Sequence, residues 1–288
     1  MQTITVDDDP SLLALTARGA LRRARGDALP DVELARSDVR ASGASLAAYS
    51  RVCGFTVDGR LPTTYLHVLT FPLQTALMGR PDFPLALPGL VHVENRLELR
   101  RPVGVDEALQ LAVRAADLRP HSRGRQVDLL SEARVDGELV WRGRSTYLAK
   151  QATSPPSQPA QHRARSTSAM TGPPDARWRL PADLGRRYAA VSGDHNPIHL
   201  NPLAAKAFGF PRTITHGMWS VARCVSSLAG WGPATGVVEV EFRRPVLLPS
   251  TVELRTTAAD GGWDLQLSSR HRHGAEPTEH LRCTVRPG

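Results

Sequence analysis

Residues 188–202 read Tyr-Ala-Ala-Val-Ser-Gly-Asp-His-Asn-Pro-Ile-His-Leu-Asn-Pro, with two Asn-Pro steps, Asn196-Pro197 and Asn201-Pro202, after a glycine, Gly193. Asparagine is a strong helix N-cap and proline suits the first helical position, so each step predicts a helix start. Gly193 predicts the turn that precedes them. Asp194 then falls in the turn and His199 in the short helix after it. Five residues apart, the two need not share a helix face, yet a loop can aim both into one cleft. A carboxylate and an imidazole that converge can share a water. An Asp or Asn before proline also serves as a plain cap, and a histidine also packs in cores, so the spacing alone leaves both readings open.

The same stretch has a weaker echo upstream. Tyr49-Ser-Arg-Val52-Cys-Gly54 answers Tyr188-Ala-Ala-Val191-Ser-Gly193, and Arg100-Arg101-Pro102-Val103 answers Arg243-Arg244-Pro245-Val246, at offsets of 139 for Tyr49 to Tyr188 and 143 for Arg101 to Arg244. Two anchors in one order at nearly one offset predict two copies of one fold. Between them, residues 151–174 are rich in Pro, Ser, Thr and Gln without apolar periodicity, which reads as a linker joining residues 1–150 to residues 175–288.

Each copy carries the same coarse pattern. Before each Arg-Arg-Pro anchor a strand alternates with period two: Val91, Val93, Leu97 and Leu99 against His92, Glu94, Arg96 and Glu98, then Val238, Val240 and Phe242 against Glu239, Glu241 and Arg243. Further strands are expected over 109–113, 127–133 and 139–148, and over 252–256, 263–269 and 281–285, with Gly261-Gly262 as a hairpin turn. Upstream in the second copy, Met218, Val221, Ala222, Val225, Leu228 and Ala229 recur at helical spacing, with Gly230 as the stop. The first copy's counterpart is expected from Pro72 to Met78. One helix with an antiparallel sheet, twice over, is an α+β arrangement. Residues 10–25 have the composition of an amphipathic helix packed on the protein's own surface.

Composition narrows the function classes. The net charge is +8, but of 36 basic residues all except Lys150 and Lys206 are arginines spread along the chain. With no basic cluster or recognition motif, nucleic acid is not expected as a partner. No stretch of about 18 apolar residues occurs, so no membrane span is expected. Cys53, Cys224 and Cys283 form no CxxC pair, no metal-ligand spacing or Gly-rich nucleotide loop is present, and neither metal nor cofactor is expected. Three scattered cysteines and no leader-like start suit a reducing cytoplasm.

Taken whole, Tyr-x-x-Val-Ser-Gly-Asp-x-Asn-Pro-Ile-His, followed by Ala204 to Gly209 and Ile214-Thr-His216-Gly217-Met218, resembles the hydratase 2 motif of the MaoC-like (R)-specific enoyl-CoA hydratases and (3R)-hydroxyacyl-thioester dehydratases. The two-copy layout is similar to the double hotdog dehydratases of actinobacteria. The resemblance implies a cytoplasmic hydro-lyase of fatty-acid metabolism acting on CoA or carrier-protein thioesters, with a homodimer of double hotdog chains as an allowed assembly. It places Asp194 and His199 at the family's catalytic pair and His216-Gly217 at the start of its central helix. After Gly54 the first copy reads Phe55-Thr-Val-Asp58-Gly-Arg60, without the motif, which implies one active site per chain. Water addition to a 2-enoyl thioester needs a base, a proton for C2 and a donor for the thioester oxygen. Asn196 would orient the water or the local turn, and the Gly217 N–H at a helix N-terminus suits the thioester oxygen. His216 reads as a helix-entry residue, the arginine pairs as sheet-end structure, and Leu66, Leu69, Phe71, Leu73 and Leu77 as the lining that sets acyl-chain length. A hotdog thioesterase and a non-catalytic acyl-thioester binder are the alternative readings.

Overall fold

Apolar residues at alternate positions build β1 (Gln2–Thr5), β2 (Val32–Val39), β3 (Leu90–Leu99), β4 (Leu109–His121), β5 (Gly124–Val135) and β6 (Glu138–Lys150) in the first half. The second half supplies β7 (Ala176–Leu180), β8 (Gly236–Phe242), β9 (Ser250–Ala259), β10 (Gly262–Ser269) and β11 (Glu279–Pro287). The structure is a computed structural model that describes residues 1–6, 26–87, 89–150, 170–228, 230, 235–270 and 276–288. The helix expected over 10–25 and residues 151–169 of the expected linker lie outside the described residues.

These strands form one 11-stranded sheet in the order β1-β2-β4-β5-β6-β3-β8-β11-β10-β9-β7. Outward from the β3–β8 seam the two sides repeat one connectivity: β3-β6-β5-β4-β2 on one, β8-β11-β10-β9-β7 on the other. At the seam, Leu97 pairs with Val238 and Asn95 with Val240. Helices α1 (Gly43–Cys53) and α2 (Thr63–Met78) belong to the first half, and α3 (Leu184–Ser192), α4 (Pro197–Leu200), α5 (Pro202–Ala207) and α6 (Gly217–Ser226) to the second. The fold is the α+β double hotdog. Its repeat anchors meet in space, with the rings of Tyr49 and Tyr188 6.3 Å apart. The halves interlock where Trp219 Nε1 donates to Val52 O at 3.0 Å and Ser226 Oγ to Cys53 O at 2.8 Å.

Three local expectations change. The first central helix starts at Thr63 and carries Pro72 inside it. Proline removes one backbone hydrogen bond, yet tertiary packing holds the helix, because α2 is buried on almost every side and so lacks the one-sided stripe that marks a helix in sequence. Leu66, Leu73 and Leu77 are buried in the core at 0–1% exposure. The hairpin turn is Asp260-Gly261, with φ of 50° and 71°, while Gly262 opens β10. Both central residues at positive φ match the twist of the flanking strands.

The third change bears on the site. The register of β3 against β6 shifts between His92 and Glu94, a bulge that breaks the expected alternation. His92 therefore shares a face with Asn95, and its ring stacks on Tyr147 at 4.7 Å. The arginine anchors are sheet-end structure: Arg101 pairs with Glu107 and Glu138, Arg243 with Glu241 and Glu279. All three cysteines are free and buried. No helix among the described residues is long and apolar enough to cross a membrane.

Candidate active site

The turn holding Asp194 is fixed by its own polar side chains. Helix α3 ends at Gly193, whose φ of 72° is the left-handed conformation glycine adopts without strain. Asp194 Oδ1 then accepts from Asn196 N at 3.1 Å, and Asn196 Oδ1 caps α4 by accepting from Ile198 N at 3.4 Å. Asn201 caps α5 in turn, accepting from Leu203 N at 2.8 Å and Ala204 N at 3.3 Å. Successive closures of this kind order the turns that join α3, α4 and α5. A further glycine, Gly185 of α3, lets the segment lie against that helix, since a Cβ there would sit 2.1 Å from His199 O.

Three side chains converge. His199 is buried, and its Nδ1 donates to Ile214 O at 2.8 Å, which leaves the Nε2 lone pair free. His216 donates from Nε2 to the backbone carbonyl of Asp194 at 2.9 Å, with Asp194 Oδ2 3.7 Å away. The two imidazoles stack with centroids 3.7 Å apart, and Tyr188 lies 4.9 Å beyond His216. Burial lowers the His199 pKa below the ordinary histidine value, against the opposing pull of the Asp194 carboxylate and the Ile214 carbonyl. Burial, with His199 alongside, lowers His216 to about 3. Both rings are therefore neutral at physiological pH.

That neutrality links stability to pH. His216, and His67 at about 4, refuse protons that the unfolded chain accepts near 6.5, so stability is complete above that pH and declines as pH falls toward the folded values. Lowering the pH from 7 to 5 should cost about 2 kcal/mol from each ring, read as a fall in the urea midpoint. An unchanged midpoint would show that these rings charge freely in the folded protein.

One carboxylate oxygen of Asp194 and one nitrogen from each of His199 and His216 all lie within 4.8 Å of one another. That donor set could be taken for a metal centre. The stacking argues otherwise, because two parallel rings send their in-plane lone pairs side by side, whereas metal ligation needs them to converge at about 2 Å. The same spacing suits one water, as two hydrogen bonds of about 2.8 Å meeting near the tetrahedral angle span roughly 4.5 Å.

Gly217 is the first residue of α6, so its N–H has no acceptor within the helix and points out of the positive end of the helix dipole. The structure adds why it is glycine: a Cβ would meet the Phe242 ring at 2.8 Å. All four residues expected from the sequence lie in this region, although the Asn196 side-chain oxygen is occupied as a cap. His216, read from the sequence as a helix-entry residue, is the N-cap of α6, packs face to face on His199 and is tied to the Asp194 backbone. Its place beside Gly217 was the available signal, but only the structure shows a ring reaching back across 22 residues.

Comparison with known proteins fits this geometry. Residues 152–270 match the MaoC like domain. The chain is 40% identical over 265 residues to 3-hydroxyacyl-thioester dehydratase X of Mycobacterium tuberculosis, covering 91% of each chain. The crystal structure of HtdX from that organism superimposes with a TM-score of 0.77 at 38% identity, covering 89% of this chain and 99% of the other. Enoyl-CoA hydratase 2, peroxisomal, of Arabidopsis thaliana is 26% identical over 176 residues, 57% of each chain. With identity of this degree along nearly its whole length, and the family's motif folded into one convergent site, this chain belongs to the MaoC-like dehydratase family.

Proposed function

We propose that the chain is a hydro-lyase that reversibly dehydrates (3R)-hydroxyacyl thioesters, carried on CoA or a carrier protein, to trans-2-enoyl thioesters in fatty-acid metabolism. The observation that carries this reading is the convergence of Asp194, His199 and His216 within 4.8 Å, on a segment tied to the start of α6. Residues 175–288 form the catalytic copy and residues 1–150 a partner copy without the motif, joined through residues 151–174. The relatives named as dehydratases and hydratases support the substrate class.

In the hydration direction, one water lies between the Asp194 carboxylate and the His199 Nε2 lone pair. As its oxygen attacks C3, His199 takes a water proton and Asp194 holds the water's other hydrogen. The thioester oxygen, gaining enolate character, is held by the Gly217 N–H. The proton then passes from the pair to C2, so the side chains end as they began. Such a donor contributes about 10² to 10³ in rate and acid/base assistance about 10² to 10⁴. Asn196 holds the turn that aims Asp194. His216, neutral and pinned to the Asp194 backbone, is a positioning residue that fixes the His199 ring by stacking.

Incubation with crotonyl-CoA should remove enoyl absorbance without releasing free thiol, and chiral analysis should give the (3R) alcohol. Thiol release would mark a thioesterase, and no change in either signal a binding protein. Turnover should persist in EDTA. Loss on chelation that zinc restores would turn the three converging side chains into metal ligands and overturn the water-sharing mechanism.

A further inference from the structure

The half without the motif puts an unusual interior beside this site. Its buried helix α2 carries His67, Thr70 and Gln74 at i, i+3 and i+7, a polar stripe beside the buried Leu66, Leu73 and Leu77. The stripe faces the sheet. Gln74 Nε2 donates to Ser131 Oγ at 3.1 Å, and Tyr147 donates its hydroxyl to Gln74 Oε1 at 3.4 Å. His67 lies 6.1 Å from the His92 ring. The β3 bulge turns His92 and Asn95 to this same interior, where Asn95 Nδ2 is 3.2 Å from both His92 Nε2 and Ser145 Oγ.

The cluster continues across the seam into the candidate site. Asn95 Nδ2 lies 3.4 Å from Met218 Sδ, the His92 ring lies 5.0 Å from Phe242, and Phe242 occupies the space above Gly217. The Asp194 carboxylate acts electrostatically on both His67 and Tyr147. Met218 and Phe242 thus connect the start of α6 to Asn95 and His92 across the seam.

Two atoms of the cluster are incomplete. His67 Nδ1 and Asn95 Oδ1 have no hydrogen-bond partner, although each residue is only 3% exposed. Native interiors rarely leave such groups unpaired, because an unmade buried hydrogen bond loses its water without replacement. A hydrocarbon tail would leave both atoms as they are. A hydroxyl can donate its one hydrogen to Asn95 Oδ1 while its oxygen accepts from His67 Nδ1–H, in the tautomer that protonates that nitrogen. Burial lowers His67 to about 4 and His92 to about 3, so neither ring offers a cation to a carboxylate, and a neutral group suits them better.

We infer that the first half selects the substrate, receiving the distal acyl chain among His67, Asn95, Gln74 and Tyr147 and favouring thioesters whose chain carries a neutral hydroxyl. This deepens the reading of the chain as an acyl-thioester hydro-lyase and rests on it. A site built to hydrogen-bond a hydroxyl discriminates strongly against the analogue that lacks it, whereas an apolar site tolerates either.

The test compares ω-hydroxylated 2-enoyl-CoAs of seven and eight carbons with the oct-2-enoyl and non-2-enoyl thioesters in which a methyl replaces the hydroxyl. Hydration kcat/KM of the full chain should favour at least one hydroxylated member of these pairs by about tenfold or more. In Asn95→Leu and, separately, His67→Phe, that ratio should fall to about one or reverse, with crotonyl-CoA turnover reported beside it. The Kd of the unreactive saturated pairs, 7-hydroxyheptanoyl-CoA against octanoyl-CoA and 8-hydroxyoctanoyl-CoA against nonanoyl-CoA, measured by calorimetry, reads the same preference without chemistry. Equal or methyl-favouring ratios in the unsubstituted protein overturn the inference, as does absence of binding by all four saturated thioesters. Failure to hydrate crotonyl-CoA together with tighter binding of a hydroxylated thioester overturns the hydro-lyase reading and leaves the selectivity standing.

Discussion

Asp194→Asn and His199→Ala should each lower kcat for 2-enoyl-CoA hydration by about 10² to 10⁴, the range of acid/base assistance that positioned side chains supply. The substitutions act on different atoms. Asp194→Asn keeps the size of the side chain and an oxygen able to accept from Asn196 N, the bond of 3.1 Å that shapes the turn, so the segment should fold as before. It removes the carboxylate charge that the proposed mechanism uses to orient the water. His199→Ala removes the Nε2 lone pair and also strips the Ile214 carbonyl of its donor at 2.8 Å. That buried carbonyl should cost about 1 to 3 kcal/mol of stability, so this variant should melt a few degrees lower while remaining folded at assay temperature. If the two share one water, the double variant should be hardly slower than the worse single one, because groups acting as a unit are strongly non-additive. Turnover within tenfold of the parent in both folded single variants would remove the pair from the mechanism.

The parts of this site that could be read from the sequence are those whose cause is local. Gly193, the caps at Asn196 and Asn201 and the prolines after them depend on neighbours two or three residues away, and the structure has each where the spacing places it. The double hotdog layout was legible for a related reason, since each half writes the same helix-then-strands order. What lay hidden depends on distant contacts. Helix α2 is buried nearly all round, so no face of it alternates with solvent and its first nine residues escape a periodicity argument. The β3 bulge, visible only in the pairing with β6, reverses the phase of His92, and His216 is placed by reaching back to Asp194. The polar stripe His67-Thr70-Gln74 becomes visible only once α2 is known to start at Thr63.

Gly185→Ala should be the most damaging conservative change outside the converging side chains, lowering kcat by about 10² while the protein still folds. Helix propensity alone predicts the opposite, since alanine is favoured over glycine in a helix, by up to about 1 kcal/mol in its interior and less in the first turn, where Gly185 lies. The packing decides. An added Cβ at Gly185 would lie 2.1 Å from His199 O and 3.1 Å from His199 C. These are backbone atoms, with no flexible side-chain end to swing aside, so relief requires α4 to move away from α3 by about 1 Å, the scale of misplacement that costs about 10² in rate. His199 would move with its backbone, while His216 stays anchored on the separate helix α6, so the 3.7 Å stack would open and the gap to Asp194 would widen. Gly43→Ala in α1 is the matched control, a helical glycine with nothing within 4 Å of its Cβ position, and it should keep full activity at equal or higher melting temperature. KM should change much less than kcat in Gly185→Ala, because the Gly217 donor and the first-half residues proposed to meet the acyl chain lie on other elements. A Gly185→Ala protein that turns over within threefold of the parent would show that the α3–α4 contact does not set the position of His199.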